Sequence, residues 1–221
     1  MIVERYLNVA QARNFYNRMG KRQDWQRIYE GQAIDELLRQ GEFTSANAVF
    51  ELGCGTGALA EKLLSHDLPP EATYVGVDIS PVMVKLARQR LAPFGERARV
   101  FQTEGKFDFS RYTPACDRFI SVYVLDLLPP EAIHHVLDQA YALLQPQGRL
   151  GLISLTEGRT PVSRATMVLW QGLWRISPLL VGGCRPLNIT PYLLDEQWQI
   201  NFDRTINTLG VPSEIVLASK K

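Results

Sequence analysis

The sequence has few cysteines, and they are far apart. Cys54, Cys116 and Cys184 are an odd, widely spaced set in a chain of 221 residues, so they do not read as a disulfide framework. No CxxC pair or histidine-rich cluster indicates a metal site. We therefore expect a reduced, cytoplasmic protein without a bound metal, whose cysteines are buried as small apolar side chains.

The sequence also lacks an excess of charge and a long apolar run. It has 24 lysines and arginines, 23 acids and a formal net charge of +1, so no basic face indicates a nucleic-acid partner. Apolar runs such as 148–155 are much shorter than the roughly 20 residues of a membrane span. The first 14 residues have no apolar core, so we expect no secretory signal and no integral membrane segment.

The remaining pattern is that of one domain in which strands and helices alternate. A hydrophobic content of 46% in 221 residues suffices for one sizeable core. After a helical stretch over 1–47, strands are predicted at 48–52, 74–77, 99–102, 119–124 and 149–155, with helices at 58–65, 81–91 and 131–144. Such alternation indicates an α/β fold, a parallel sheet with helices on both faces. The last two strand-like runs, 198–209 and 213–219, are joined too closely for a crossover helix and should be antiparallel.

A glycine-rich turn follows the first predicted strand. Gly53-Cys54-Gly55-Thr56-Gly57 fits G-x-G-x-G and, with Ala58, the dinucleotide form G-x-G-x-x-A, whereas a P-loop would need Gly-Lys-Ser/Thr. Glycine permits a tight turn and close approach of a ligand to the backbone. Ligands of open α/β sheets bind at this end of the strands. A purely structural turn is the less favoured alternative, because three glycines in five residues cost conformational entropy.

Asp78 ends the second predicted strand, 25 residues after Gly53. A carboxylate at this place can accept hydrogen bonds from both hydroxyls of a ribose. The alternative is that Asp78 caps the following helix, a role that Ser80 could also take because it directly precedes Pro81. We favour ribose binding, although this acid does not distinguish one nucleoside cofactor from another.

These features together resemble the class I S-adenosylmethionine (SAM)-dependent methyltransferases. Glu51 stands where that family keeps an acid near the methionine amine, and Ile79 where a residue packs on the adenine. The stretch 116–122 looks like the family's fourth strand, 143–150 (Leu-Leu-Gln-Pro-Gln-Gly-Arg-Leu) like its turn into strand five, and the terminal pair like its final hairpin. The resemblance covers 48–155 by motif and implies a Rossmann-like seven-stranded sheet, mostly parallel, with a C-terminal antiparallel hairpin.

The resemblance implies SAM as the cofactor and a set of residues that bind it. Two departures stand out: Thr103-Glu104-Gly105 replaces the family's frequent Gly-Asp after strand three, and Gln147 replaces a usual glycine. The predicted cofactor-binding residues are Glu51, Gly53, Cys54, Gly55, Gly57, Asp78, Ile79, Glu104, Gly105 and Val122.

The methyl acceptor should contact the parts of the chain outside the common core. The resemblance divides the chain into a helical lid (1–47), a SAM-binding core (48–155), a substrate-side insertion (156–197) and the hairpin (198–221). The apolar positions of 167–176 cover over half a helix circumference, so this stretch is buried in plain packing, lines an apolar pocket or touches a lipid surface. The predicted acceptor-binding residues are Tyr16, Tyr123, Asp126, Trp170 and Arg185.

Alternatives remain for two of these residues and for catalysis. Asp126 could instead initiate a helix. Arg185 could anchor an anionic group of the acceptor or equally pair with a structural acid. Methyl transfer from a sulfonium requires mainly positioning and exclusion of water, and no catalytic base is identified, since His66, His134 and His135 should lie away from the pocket. The layout resembles quinone- and lipid-methylating members, which indicates a small apolar or aromatic acceptor and leaves peripheral membrane contact open.

Two other functions are compatible with part of the pattern. A nicotinamide-dependent oxidoreductase would explain the glycine turn and Asp78, but not Glu51, the Leu-x-Pro-x-Gly turn or the closing hairpin. A non-catalytic SAM-binding module would explain all of them. A closed apolar cavity beside the methyl group would favour the enzyme, and a filled or open one the module. The sequence does not distinguish a monomer from a homodimer.

Overall fold

A helical N-terminal segment precedes the sheet in the computed structural model, which describes residues 6–194 and 197–221. Helix α1 (Val9–Met19) is followed by a 3-10 stretch (Gly20–Gln26) and by α2 (Arg27–Gln40). Asn8 caps α1, because its side chain accepts the Gln11 backbone N–H at 2.9 Å while the Gln11 side chain accepts the Asn8 N–H at 3.0 Å. The first five residues of the predicted lid lie outside the described residues.

The rest of the chain alternates between strands and helices. The helices are α3 (Ala58–Lys62, continued by a π turn over Leu63–Asp67), α4 (Pro81–Leu91), α5 (Pro130–Leu143) and α6 (Pro161–Ile176). The strands are β1 (Ala48–Leu52), β2 (Thr73–Asp78), β3 (Ala98–Gln102), β4 (Cys116–Val122), β5 (Leu144–Leu155), β6 (Trp198–Thr208) and β7 (Val211–Lys220). No helix within 6–194 and 197–221 is long and apolar enough to cross a membrane.

The seven strands form one sheet in the order β3-β2-β1-β4-β5-β7-β6. Strands β1 to β5 run parallel, and β7 pairs antiparallel with both β5 and β6. The predicted Rossmann-like, mostly parallel sheet with a terminal antiparallel pair is therefore confirmed. The order reverses between β1 and β4, and in open α/β sheets the crevice outside the carboxyl ends of such strands is where ligands bind.

Several element boundaries differ from the predicted ones, and positive φ angles explain two of them. Strand β4 ends at Val122 rather than at residue 124, because Tyr123 adopts a φ of 53° that an extended strand does not allow. The hairpin turn is Leu209-Gly210, with φ of 53° and 83°, so Val211 and Pro212 belong to β7 and not to the connection. Two consecutive positive φ angles suit the twist of a two-residue hairpin.

The sheet is covered on both faces by apolar packing. Phe50 and Phe119 lie in one cluster with Ile133 of α5, while Val49 and Ile120 lie in the other, which contains residues of α2, α3 and α4. Neighbouring residues of one strand point to opposite faces, so β1 is buried on both sides. This packing fixes the carboxyl ends of β1, β2 and β4, at which the functional groups lie.

Candidate functional site

A cavity of about 230 Å³ lies at the carboxyl ends of β1, β2 and β4. Its floor is the glycine turn with the last residues of these strands. The N-terminal segment contributes Phe15, Tyr16, Tyr29 and Glu30, and the insertion after β5 contributes Trp170 and Cys184. The cavity thus joins the predicted cofactor region to the two segments predicted to contact the acceptor.

The glycine turn depends on the absence of side chains at its glycines. Gly53, Gly55 and Gly57 have φ angles of 79°, 52° and 78°, a region that L side chains rarely adopt. A Cβ on Gly53 would lie 2.3 Å from Cγ2 of Val124, and one on Gly55 would lie 2.8 Å from the Gln23 side chain. A Cβ on Gly57 would lie 3.1 Å from Cα and Cβ of Ala87 in α4. The absence of this atom allows α3 and α4 to pack closely.

Asp78 fastens this turn to the end of β2. Its Oδ2 accepts the Gly55 N–H at 2.9 Å, and its Oδ1 accepts the Ser80 N–H at 2.8 Å. Ser80 is the residue that caps α4, because its hydroxyl accepts the Met83 N–H at 3.2 Å. Burial raises the pKa of the Asp78 carboxyl to about 6, although the backbone N–H groups act in the opposite direction. Asp78 is therefore held beside the turn while Ser80 performs the capping.

Glu51 is a buried acid at the cavity wall. Its side chain is 2% exposed, and the Tyr74 hydroxyl donates to its Oε2. The ion pairs among the described residues do not include it. Burial raises the pKa of the Glu51 carboxyl to about 8. A buried acid of this kind favours a ligand that brings a positive charge, since pairing offsets the cost of desolvating the carboxylate.

Polar contacts hold the N-terminal segment over the cavity. The Thr56 hydroxyl donates to Asp24 Oδ1 at 2.6 Å, and Arg90 forms an ion pair with Asp24 Oδ2 at 2.7 Å. Ser80 Oγ donates to Asn17 Oδ1 at 2.6 Å. The segment is thereby attached both to the glycine turn and to the start of α4, which limits access of water to the cavity.

The other end of the cavity is formed by aromatic side chains around Asp126. Asp126 is fully buried, and its Oδ2 accepts the Leu155 N–H at 3.2 Å. Burial raises the pKa of its carboxyl to about 7, against the effect of that hydrogen bond. Tyr123 hydrogen-bonds to Ser213 at 2.6 Å, and the Trp170 indole donates to the Cys184 carbonyl at 2.9 Å. The arrangement provides an apolar wall with one buried acid in it.

Most of the predicted site residues line this cavity, and three lie outside its lining. Glu104 is exposed, and the neighbouring Thr103, which is buried, lines the cavity in its place. Arg185 also lies outside the lining: it donates to the Leu128 carbonyl at 3.0 Å and stacks on the ring of Tyr6. The third predicted residue outside the lining is Gly57. The predicted residues in the lining are Glu51, Gly53, Cys54, Gly55, Asp78, Ile79, Gly105 and Val122 on the cofactor side, and Tyr16, Tyr123, Asp126 and Trp170 on the acceptor side.

Several lining residues in the N-terminal segment are not indicated by any sequence pattern. Asp24, Tyr29 and Glu30 belong to no motif, and their place depends on how the segment folds back over the sheet. For Tyr29 a weak signal existed, because it precedes Ala33 and Leu37 at intervals of four, on the buried face of α2. Asp24 had no such signal, since its partners Thr56 and Arg90 are distant in sequence.

We predict that the ligand-free protein loses stability as the pH rises from 4.5 to about 8, partly because of Glu51. The folded protein raises the pKa of this carboxyl from its ordinary 4.5 to about 8, so it holds the proton more tightly than the unfolded chain does. That contribution is complete below pH 4.5 and is lost as the pH rises to 8, by about 1.4 kcal/mol per pH unit at most. Urea unfolding at three pH values measures it. Glu51→Gln should flatten the dependence, and an unchanged slope in that variant would contradict the prediction.

Comparisons with known proteins agree with this geometry. A family model described as a methyltransferase domain matches residues 50–150. A carboxy-S-adenosyl-L-methionine synthase of Chromohalobacter salexigens is 39% identical over 105 residues, covering 47% of this chain and 38% of the relative. A tRNA N(3)-methylcytidine methyltransferase of Drosophila melanogaster is 26% identical over 137 residues, covering 61% of this chain and 42% of the relative. The chain thus spans less than half the length of these two relatives.

A solved structure extends the likeness to almost the whole chain. The magnesium protoporphyrin IX methyltransferase of Synechocystis PCC 6803, with bound S-adenosylhomocysteine, superimposes with a TM-score of 0.71 at 20% identity, covering 97% of this chain and all of that one. At this identity the likeness concerns the fold. Residues 50–150 therefore match a methyltransferase domain, and the chain has the fold of the SAM-dependent methyltransferases, which indicates S-adenosylmethionine as its cofactor.

Proposed function

We propose that the chain transfers the methyl group of SAM to a small molecule with an apolar or aromatic body. One observation supports this most directly. A single cavity contains the glycine turn with Glu51 and Asp78 at one end and an aromatic wall with Tyr16, Tyr123 and Trp170 at the other. A donor and an acceptor bound in one enclosed space meet the main requirement of an in-line displacement, the alignment of two reactants.

The residues at the cofactor end fit the parts of SAM. Glu51 would bind the ammonium of the methionine moiety and Asp78 the ribose hydroxyls, while Ile79, Thr103 and Gly105 would surround the adenine. Glu104 is proposed only as a more distant contact, because its side chain is exposed. When bound, SAM supplies an activated methyl group on a positively charged sulfur. The acid-rich wall beside the glycine turn stabilises such a charge in a medium of low dielectric constant.

The contribution of the chain to catalysis would be orientation and exclusion of water. The contacts of Asp24 with Thr56 and of Asn17 with Ser80 hold the N-terminal segment over the site. A closed site keeps bulk water from the reacting atoms and strengthens the electrostatic interactions inside. The cavity extends past Val122 to Trp170 and Cys184, and this room beside the cofactor supports an enzyme over a module that only binds SAM.

A small molecule is favoured over a nucleic acid as the acceptor. The relative named as a tRNA methyltransferase is 26% identical over 61% of this chain and 42% of its own length, so more than half of that protein has no counterpart in the match. The formal net charge is +1, and the chain shows no excess of cations to bind phosphates. The aromatic wall instead suits molecules with an apolar body, such as phenols, quinols or lipid-like compounds. That the chain has no nucleic-acid partner stays a prediction.

The proposal is tested by supplying SAM with a labelled methyl group to the purified protein together with panels of phenols, quinols and amines. Total tRNA serves as a separate arm. Label transfer to a small molecule, with stoichiometric release of S-adenosylhomocysteine, is expected. Transfer to tRNA alone would replace the proposed acceptor class. SAM binding without transfer in any arm would favour the non-catalytic module.

We predict that Trp170→Ala affects acceptor use more than cofactor binding. The indole lines the acceptor end of the cavity, so its loss should raise KM for the acceptor about tenfold, the scale of one lost aromatic contact. The Kd for SAM should change by less than about twofold. Leu169→Ala is the matched control, because Leu169 lies next to it on α6 with 66% of its side chain exposed. An equal loss of both affinities together with lower stability would show that Trp170 serves packing.

A further inference from the structure

One carboxylate oxygen in the cavity wall receives no hydrogen bond from the part of the chain that the structure describes. Asp126 is 0% exposed and lines the cavity. Its Oδ2 is satisfied by the Leu155 N–H, whereas Oδ1 is buried and receives no hydrogen bond from any described residue. A buried acceptor left without a partner destabilises the folded protein, and native proteins rarely keep one unless a ligand or water supplies the donor. The oxygen therefore indicates a ligand that brings an N–H or O–H group.

The groups around Asp126 do not supply that donor and do not neutralise its charge by direct pairing. Tyr16 of α1 and Tyr29 of α2 face it from the N-terminal segment, and Tyr123 faces it from the end of β4. From the insertion, Cys184 and Arg185 are close enough to interact electrostatically. The described ion pairs do not include Arg185, whose guanidinium donates to the Leu128 carbonyl.

The charge of the lining disfavours an anionic acceptor. Among the described lining residues, Lys62 is the one lysine or arginine, and it pairs with Asp35. A second anion beside buried acids would be unfavourable unless one of the groups took up a proton. The carboxyl side chains in the lining are Asp24, Glu30, Glu51, Asp78 and Asp126.

We propose that Asp126 Oδ1 binds the group that becomes methylated and accepts its proton, so that the acceptor is an uncharged or cationic molecule with an O–H or N–H group on an apolar skeleton. Carboxylate and phosphate acceptors are rejected by the same side chain. This inference rests on the proposed function, because it assigns the acceptor class of that site.

The step balances without a further reactant. The lone pair of the acceptor oxygen or nitrogen forms the new bond to the methyl carbon. The bond between that carbon and the sulfur breaks, and the sulfur keeps the electron pair, leaving S-adenosylhomocysteine. The proton of the acceptor group passes to Asp126 Oδ1 and later to water. The pKa of about 7 that burial gives this carboxyl suits a base that operates near neutral pH.

The test uses the full chain saturated with S-adenosylhomocysteine and three probes of one shape: 4-propylphenol, 4-propylaniline and 4-propylbenzoate. The phenol and the aniline should bind at least about tenfold more tightly than the benzoate. The first two probes can donate a charge-assisted hydrogen bond to Asp126, whereas the benzoate places a second negative charge beside it. In Asp126→Asn the benzoate should gain affinity and the preference should fall to about threefold or less, since the amide offers an N–H. Asp138→Asn, an exposed acid of α5, should leave the preference unchanged.

A pH profile adds a readout that a purely structural role would not change. For methylation of 4-propylphenol, kcat/KM should rise with pH up to about 7 and then level off, and this rise should be absent in Asp126→Asn. Equal binding of benzoate and phenol to the unmutated protein, failure of all three probes to bind, or the same preference in Asp126→Asn would each overturn the inference. Failure of S-adenosylhomocysteine itself to bind would instead contradict the proposed function.

Discussion

Replacing Asp78 by alanine is expected to weaken SAM binding by about 2 kcal/mol, or roughly 30-fold in Kd. Two effects act in the same direction. The variant loses the acceptor proposed for the ribose hydroxyls, and it also releases the Gly55 N–H, which Asp78 Oδ2 binds at 2.9 Å. The glycine turn would then be held less firmly in its binding conformation. Isothermal titration of the variant with SAM measures the change.

Asp78→Asn separates the two effects. An asparagine oxygen still accepts one backbone N–H but lacks the charge, so we expect an affinity between those of the unmutated protein and Asp78→Ala. Asp138→Ala, on the exposed side of α5, is the control and should bind SAM normally. If Asp78→Ala bound SAM with unchanged affinity, the assignment of Asp78 to the ribose would be wrong.

Gly53→Ala is expected to abolish measurable SAM binding and to lower stability. The residue has a φ of 79°, and the new Cβ would lie 2.3 Å from Cγ2 of Val124. A left-handed backbone costs alanine about 1–2 kcal/mol, and the overlap adds about 1–3 kcal/mol if the neighbours must shift. A shift of the turn moves the backbone that approaches the cofactor. Thermal unfolding and SAM titration together measure both losses.

Two further variants identify the cause of this loss. Val124→Ala in the Gly53→Ala background removes the overlap but not the backbone strain, so it should restore part of the stability. Gly172→Ala is the control, because a Cβ there meets nothing within 4 Å and the residue lies inside α6. It should leave SAM binding intact and stabilise the protein by about 0.5–1 kcal/mol. Normal SAM binding by Gly53→Ala would contradict the role given to the turn.

The parts of the fold that depend on local sequence were predictable. Strand β1 and helix α4 begin and end at the predicted residues, because an apolar run before glycines and a Ser-Pro start are signals contained in a few neighbouring residues. The number of strands and the antiparallel C-terminal hairpin followed from the family resemblance. The carboxyl ends of β1 and β2 could be assigned to cofactor binding because the glycine turn and Asp78 are adjacent to those strands in the chain.

What depended on contacts between distant segments could not be predicted. The φ of 53° at Tyr123 arises where the chain leaves β4 and its N–H still pairs with Ile153, and nothing in the local sequence marks it. After β3 the prediction was wrong by one residue: Thr103 points inward and is buried, whereas Glu104 is exposed. The position of Asp24 over Thr56 and Arg90 is likewise set by the path of the whole N-terminal segment.

The most direct test of the account is a calorimetric titration of the purified protein with SAM, S-adenosylhomocysteine and NADH in parallel. We predict that both adenosyl ligands bind with micromolar Kd, a binding free energy of roughly −8 kcal/mol. NADH should not bind, since Glu51 suits the methionine ammonium that the two adenosyl ligands carry and NADH lacks. Binding of NADH without binding of either adenosyl ligand would contradict the assignment of the cofactor and of the proposed methyl transfer, and would leave the fold alone standing.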